Sequence, residues 1–160
     1  MVNYKCEQRG AGKSILLALA LLSQGVCAQP VRQNIAAVLV AEASSEGTNG
    51  MKLVAEVIQQ RMRDKGWSAL KVVLAGRRGN RAFSCLNCRT LEQLRAAARK
   101  DRNYGYALRL ARLLELSQAL GHGARGANHY TRKEERPYWA VGRKPVVIAG
   151  HHAFYRLEHY

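Results

Sequence analysis

The sequence has few acidic residues: 11 Asp and Glu stand against 26 Lys and Arg in 160 residues, and the formal charge is +15. Chemistry that needs a carboxylate can therefore come from few positions, and each can be considered individually. The length fits one domain with a real core, and the hydrophobic content of 48% excludes a disordered charged tail. The excess of positive charge favours a polyanionic partner: nucleic acid, a membrane surface or a bacterial cell wall.

No apolar run is long enough to span a bilayer as an ordinary helix. The longest, Ile15–Leu22, has eight residues, follows a basic start and precedes a small-residue segment ending at Ala28. These three parts are typical of a secretory signal. We therefore expect residues 1–28 to be a signal peptide and residues 29–160 one domain, exported to the periplasm, the medium or the cell wall. An uncleaved anchor or a misassigned start codon is the alternative.

Removal of the signal segment changes the charge from +15 to +13, because it deletes Lys5, Arg9 and Lys13 together with Glu7. An exported protein seldom meets nucleic acid by design. Export therefore argues against a nucleic-acid partner and favours the cell wall.

Cysteine is also scarce, and only Cys85 and Cys88 follow the signal segment. Two thiols are too few for a closed structural zinc site without histidine ligands. No βαβ pattern surrounds them, which argues against a thioredoxin-type site. We prefer a short-loop disulfide in an oxidising compartment over two free thiols. No metal-type spacing supports a site formed by His129, His151 and His152, so we expect no metal.

Apolar periodicity predicts a mainly α, α+β single domain with a small irregular or β-containing C-terminal part. Gly66 is a plausible helix stop, and Thr90 with Gln93 forms the pattern of a capping box. We expect a break over residues 44–50 and a basic loop over 76–89. The predicted helices cover residues 33–43, 51–65, 68–74, 90–100 and 104–120, and short strands are expected near 128–131, 138–141 and 146–149.

The most informative carboxylate is Glu42, which ends the apolar helix face of Ile35, Val38 and Leu39. A carboxylate at the core-facing end of a helix is costly unless it is paired or neutral. Partial burial raises the pKa of a carboxyl group, and a glutamate that keeps its proton near neutral pH can act as a general acid. Periodicity alone favours the structural alternative, a capping or salt-bridged glutamate.

The other carboxylates are less distinctive. Glu46 could be a second catalytic carboxylate, a substrate ligand or an N-terminal charge on the next helix. Glu56 falls on a polar helix face one turn from Lys52, and we interpret it as solvated. Arg61 falls on the apolar side of the same helix and needs an anion, which could be Glu42, Glu46 or a bound ligand.

An aromatic and imidazole-rich set lies in the last part of the chain. Sugar rings stack on aromatic faces and need planar polar groups at their edges, so the set suits a glycan-binding cleft. Taken singly, each residue is more often part of an ordinary aromatic core. The set comprises His129, Tyr130, Trp139, His151, His152, Phe154 and Tyr155.

Residues 41–46 (Ala-Glu-Ala-Ser-Ser-Glu), Gly50 and residues 54–61 (Val-Ala-Glu-Val-Ile-Gln-Gln-Arg) resemble the opening motifs of the cell wall hydrolase SleB family, the spore-cortex-lytic enzyme catalytic domain. The resemblance extends over residues 35–156, and it rests on the order and spacing of the motifs. Ser45, Gln60 and Ala82 depart from the family pattern. The later similar segments are Phe83-Ser84, Ala127-x-His129-Tyr130, Pro137-Tyr138-Trp139 and residues 148–155.

The resemblance implies a lysozyme-like fold related to lytic transglycosylases, with no cofactor and with peptidoglycan glycan strands as the partner. It implies cleavage of the β-1,4 bond between N-acetylmuramic acid and N-acetylglucosamine, with Glu42 as the catalytic acid. We expect no nucleic-acid partner, a peripheral electrostatic contact with the anionic envelope, and a monomer. The residues expected to bind substrate are Glu46, Arg61, Phe83, Ser84, His129, Tyr130, Trp139, His152 and Tyr155.

A single catalytic glutamate favours attack by the muramic acid 6-hydroxyl and a 1,6-anhydro product. A water-using muramidase would need a second carboxylate, and Glu46 is the nearby candidate. Two non-enzymatic alternatives remain open at this point. The protein could be a cationic wall- or membrane-binding protein, or a family member that binds glycan without cleaving it.

Overall fold

The structure is a computed structural model that describes residues 29–77 and 80–160. The signal segment expected at residues 1–28 lies outside the described residues. Val31–Tyr160 forms a compact unit. Within the described residues, no helix combines the length and apolar character needed to cross a membrane.

The five predicted helices are present, and Cys85–Cys88 is a further short helix within the segment 76–89 that was predicted as a loop. Three helix ends follow the local capping signals. Gly66 ends the second helix with a left-handed φ of 64°, and the Ser68 side chain accepts a hydrogen bond from the Lys71 amide. Thr90 and Gln93 form both hydrogen bonds of the capping box. Helices α1 to α6 occupy residues 29–43, Gly47–Lys65, Ala69–Val73, Cys85–Cys88, Leu91–Ala98 and Tyr104–Glu115.

Three predicted boundaries are wrong. Helix α1 already includes residues 29–32, before its predicted start at residue 33. The break between α1 and α2 is shorter than residues 44–50, because one 3₁₀ turn, Ser44–Glu46, connects the helices and α2 begins at Gly47. Gly47 adopts a φ of 70°, which a residue without a Cβ tolerates. Helix α6 ends at Glu115 and does not continue to residue 120.

Helix α2 lies at the centre of the domain and packs against α3, α6 and the strand formed by His129–Arg132. Its apolar face is fully buried together with that of α1, as the helical spacing predicts. Burial of each such side chain stabilises the fold by about 1.5–3 kcal/mol relative to exposure. The fully buried residues of the two faces include Ile35, Val38, Leu39, Met51, Val54 and Ile58.

The β structure is small and antiparallel. Strands β1 (Gly76–Arg77) and β2 (Asn80–Arg81) pair as a two-stranded sheet within the region predicted as a loop. Strands β3 (His129–Arg132), β4 (Val147–Ala149) and β5 (His152–Tyr155) form a second sheet in the order β3-β5-β4. The mainly α, α+β fold class is confirmed.

The sheet differs from the prediction in two places. Residues 138–141 are not a strand, because Tyr138–Ala140 forms a 3₁₀ turn directly after Pro137. Strand β5 was not predicted, since all four of its residues are buried and leave no alternating pattern. Its pairing places Tyr155 opposite His129 and Phe154 opposite Tyr130, so the two aromatic segments of the sequence meet.

Candidate active site

Glu42 is held from two sides at the end of α1. Its Oε2 accepts a hydrogen bond from the Tyr130 hydroxyl at 2.8 Å. Its Oε1 accepts the Cys85 amide at 3.0 Å and the Ser84 hydroxyl at 3.4 Å. These donors come from β3 and from the start of α4, so the carboxylate has a defined orientation where three elements meet.

Tyr130 is suited to be a permanent donor to this carboxylate. Burial raises the pKa of Tyr130 well above its ordinary value of 10.0, and the charge of Glu42 raises it further. The phenol therefore keeps its proton at any physiological pH. Fully buried Phe83 packs with its ring centroid 6.4 Å from that of Tyr130 and anchors the adjoining Ser84.

The structure does not contain the expected disulfide, because Cys85 and Cys88 are both free thiols. Cys85 packs against the core beside Glu42, whereas Cys88 is exposed one turn later on α4. Burial and the charge of Glu42 raise the pKa of the Cys85 thiol. Cys85 therefore contributes its backbone amide to the site and keeps its side chain as a neutral thiol.

Glu46 is directed toward the start of β5 rather than toward α2. Its Oε2 accepts the His151 amide at 3.1 Å, and its Oε1 lies 3.9 Å from His152 Nδ1. It precedes α2 but makes no side-chain capping hydrogen bond there. A Cβ at Gly50 would lie 2.2 Å from Glu46 Cβ, and one at Gly150 would lie 1.7 Å from Oε2. Both glycines are therefore required for its position.

Arg61 pairs with a carbonyl and an aromatic ring, and not with the carboxylate expected from the sequence. Its Nε donates to the Asn128 carbonyl at 2.6 Å, and its guanidinium lies 5.4 Å from the Phe83 ring centroid. Burial lowers the pKa of Arg61, while Tyr130 and Glu42 act in the opposite direction. Its NH1 is buried and has no hydrogen-bond partner within the described part of the chain.

The interpretation of Glu56 as a solvated residue is wrong. Its exposure is 4%, and its Oε2 accepts the Ala124 amide at 2.6 Å. Gly121 and Gly123 let the loop before Ala124 approach, because a Cβ at either position would lie within 3.5 Å of a Glu56 oxygen. Helical periodicity placed Glu56 on a polar face, but this loop covers that face.

Glu42 faces a cavity of about 590 Å³, which is within the size range of small-molecule sites. Glu46, Ser84, Tyr130 and His152 also line it, so the cavity brings together five of the residues selected from the sequence. Sequence reasoning missed three of its charged residues, of which one ends β3 and two lie in the exposed Lys- and Arg-rich loop that follows. These are Arg132, Glu134 and Glu135.

A second cavity of about 470 Å³ adjoins the first, and both are bordered by Ser84 and Tyr130. Three of the residues predicted to bind substrate, Arg61, His129 and Trp139, line it. Burial and the cations Arg61 and Lys65 lower the pKa of His129 to about 4, so its imidazole is neutral near pH 7. Tyr130 and Trp139, two aromatic residues selected from the sequence, thus border one continuous cleft.

The Cell Wall Hydrolase family matches residues 45–155. This range is more than half of the chain and includes the lining residues of both cavities except for Ala41, Glu42 and Tyr160. The chain belongs to the Cell Wall Hydrolase family. No curated protein and no solved structure matches the chain.

Glu42 lies just before the matched range of this cell wall hydrolase, so its importance rests on its hydrogen bonds and its cavity. Glu46 and all the other selected residues lie within the range. A protein of this family acts on the cell wall, which agrees with the wall as the polyanionic partner.

Two selected residues of the cell wall hydrolase lie behind the cleft surface. Phe83 has an exposure of 0% and Tyr155 of 3%. Tyr155 packs edge-on against Trp139, with ring centroids 5.5 Å apart. Both residues support the cleft walls and do not border the cavities. Across residues 29–77 and 80–160, no cluster of His, Cys, Asp and Glu is arranged to hold a metal ion.

Proposed function

We propose that this cell wall hydrolase cleaves the β-1,4 bond between N-acetylmuramic acid and N-acetylglucosamine in peptidoglycan. It acts as a lytic transglycosylase with Glu42 as its catalytic residue. The observation that carries the proposal is the position of Glu42. Donors from two elements hold both of its oxygens, while the carboxyl group faces a cavity large enough for sugar residues.

In this mechanism Glu42 donates its proton to the glycosidic oxygen as the bond from that oxygen to C1 of muramic acid breaks. The bonding electron pair leaves with N-acetylglucosamine. The 6-hydroxyl of the same muramic acid forms the new bond to C1 and passes its proton to Glu42. Glu42 is thereby reprotonated, no water is consumed, and the product carries a 1,6-anhydro ring.

The environment of Glu46 supports this reaction over hydrolysis. A water-using enzyme needs a second carboxylate free to activate water or to attack C1. The Glu46 side chain is only 8% exposed, and it is engaged with the His151 amide and beside His152. We assign it to positioning of the cleft wall and propose the substrate's own hydroxyl as the nucleophile.

The proposal also places the protein outside the cytoplasm, since its substrate is there. It includes removal of residues 1–28 as a signal peptide and a SleB-like, lysozyme-related arrangement of the domain. Immunoblotting of periplasmic and cytoplasmic fractions, together with the N-terminal sequence of the exported protein, tests this part. A full-length protein confined to the cytoplasm would contradict it.

The decisive experiment is mass spectrometry of muropeptides released from purified sacculi. We expect fragments ending in 1,6-anhydromuramic acid from the wild type and none from Glu42→Gln, which keeps the side-chain shape but removes the acid. Reducing muramic acid ends would instead identify a water-using muramidase. Equal digestion by Glu42→Gln and the wild type would refute the catalytic role of Glu42.

A further inference from the structure

The two halves of the cleft carry opposite charges. The half that contains Glu42 is also lined by Glu46, Glu134 and Glu135, with Arg132 as its one Lys or Arg among the described residues. We call it the acidic arm. The charged side chains of the other half are Arg61, Lys65 and Arg81, and no Asp or Glu side chain among the described residues lines it. We call it the cationic arm.

The three cations of the cationic arm are placed by specific contacts. Lys65 is exposed at the end of α2, where its Nζ donates to the main-chain oxygen of Tyr160 and lies 4.0 Å from the centroid of the Tyr160 ring. Arg81 NH1 donates to the carbonyls of Leu74 at 2.5 Å and Gly76 at 3.0 Å. Neither cation is paired with an acidic side chain, so the side chains of this arm carry an excess of positive charge.

Arg61 adds a buried charge beneath the same arm. Its NH1 has no partner within the described residues although it is buried, which is unusual for a charged group. The nearest acidic side chain on that helix, Asp64, forms an ion pair with Arg156 at 2.8 Å and does not line the arm. The cationic arm therefore offers positive potential to a ligand, and aromatic rings to its sugars.

Peptidoglycan carries the matching chemistry on only one of its two sugars. N-acetylmuramic acid bears a lactyl group with a carboxyl, which is a free carboxylate in peptide-free strands and is linked to the acidic stem peptide otherwise. N-acetylglucosamine is neutral. Opposite charges attract and like charges repel across a binding site, so complementarity of this kind selects the ligand and its register.

We infer that the cationic arm binds a carboxylate of the muramyl unit, either the lactyl carboxylate itself or one on its stem peptide. This inference rests on the proposed function and specifies its substrate. The arm thereby discriminates peptidoglycan from chitin, which has the same β-1,4 linkage but no carboxylate.

The test measures binding to Glu42→Gln protein, so that no strand is consumed. Four ligands of matched length are compared by titration calorimetry: peptide-bearing strands, peptide-free strands, peptide-free strands whose carboxyls are converted to methylamides, and chitin oligosaccharides. We expect the two carboxylate-bearing ligands to bind more tightly than the two neutral ones. The better of the first two identifies the source of the carboxylate.

Lys65→Gln, introduced into the Glu42→Gln protein, tests whether the cationic arm is the binding site of the carboxylate. It should weaken binding of carboxylate-bearing strands about two- to fivefold, the effect of one partly exposed charge contact, and leave neutral ligands unchanged. Lys65→Glu should weaken it further. Lys100→Gln is the matched control, because Lys100 is also an exposed lysine just beyond a helix end and lines neither arm.

Equal binding of neutral and carboxylate-bearing strands would overturn the inference, as would equal effects of Lys65→Gln and Lys100→Gln. These outcomes are separate from a failure of the proposed function. That failure would be the absence of any glycan cleavage by the wild type.

Discussion

Glu42 and Glu56 are two helical glutamates that each accept a backbone amide from a distant segment, yet their surroundings differ. Glu42 accepts the Cys85 amide at 3.0 Å and borders an open cavity. Glu56 accepts the Ala124 amide at 2.6 Å and is enclosed, with 4% exposure. Hydrogen bonding and burial therefore do not identify a catalytic carboxylate in this protein. Access to a cavity separates the two residues, and it is the reason for proposing Glu42 as the catalytic one.

The largest expected effect is on the rate of Glu42→Gln. Removal of the general acid should lower the rate of sacculus digestion by about 10²–10⁴-fold. The melting temperature should change little, because the amide retains the size of the side chain. A dye-release assay on labelled sacculi and calorimetry measure the two quantities, with Glu92→Gln on the exposed start of α5 as control. A large loss of stability would place Glu42 in the same class as Glu56.

Glu56→Ala should have the opposite effect to Glu42→Gln: it should lower the stability of the protein and leave its activity nearly unchanged. It leaves the buried Ala124 amide without its acceptor, so we expect a loss of about 1–3 kcal/mol in the free energy of unfolding. Activity per folded molecule should stay near that of the wild type, because Glu56 does not line the cleft. Urea denaturation and digestion at low temperature test these statements. Retained stability together with lost activity would contradict our assignment of Glu56.

Gly150→Ala tests whether Glu46 affects mainly stability, as we expect of Glu56, or mainly activity, as we propose for Glu42. Its φ of 57° alone costs a residue with a Cβ about 1–2 kcal/mol, and the added Cβ would displace the Glu46 carboxylate. Gly142→Ala is the matched control, since its φ is 74° and no atom lies within 4 Å of the added Cβ. Both variants should lose stability through backbone strain, and only the Gly150→Ala protein should also lose activity per folded molecule. Equal activity would show that the Glu46 position is dispensable.

The smallest expected effect is on the pH dependence of stability, and it concerns the half-buried base His129. The pKa of His129 is about 4 in the folded protein against an ordinary value of 6.5, chiefly because of burial. The unfolded chain therefore binds more protons between these values, and stability falls as the pH decreases from about 6.5 to 4. His129→Gln should flatten this part of the profile of melting temperature against pH. Exposed His159→Gln should not, and equal slopes in the two variants would refute the assignment.

Much of the helical structure was predictable because its determinants are local. The apolar faces of α1 and α2, the Ser68 cap and the Thr90 capping box all involve residues within a few positions of each other. Glu42 was selected for the same reason, since it ends a periodic apolar face. Its partner Tyr130 lies 88 residues away, and no local pattern relates the two.

The features that the sequence did not predict depend on contacts between distant parts of the chain. Glu56 looks solvated on a helical wheel, and a loop more than 60 residues later in the chain covers it. Strand β5 has no alternation because it lies between two other strands and is buried along its length. Glu134 and Glu135 are exposed, as the sequence indicates, but the sequence does not show that the fold places them at the cavity.

The sequence by itself determined the helices, the scarcity of carboxylates that singled out Glu42, and the excess of positive charge. These are properties of composition and of contacts along one helix. Tertiary structure alone decided which carboxylate is open and which is enclosed, and that the cleft has one acidic and one cationic arm. Those properties depend on segments that packing of the core brings together. The separation of two residues in the sequence does not give the distance between them in the folded protein.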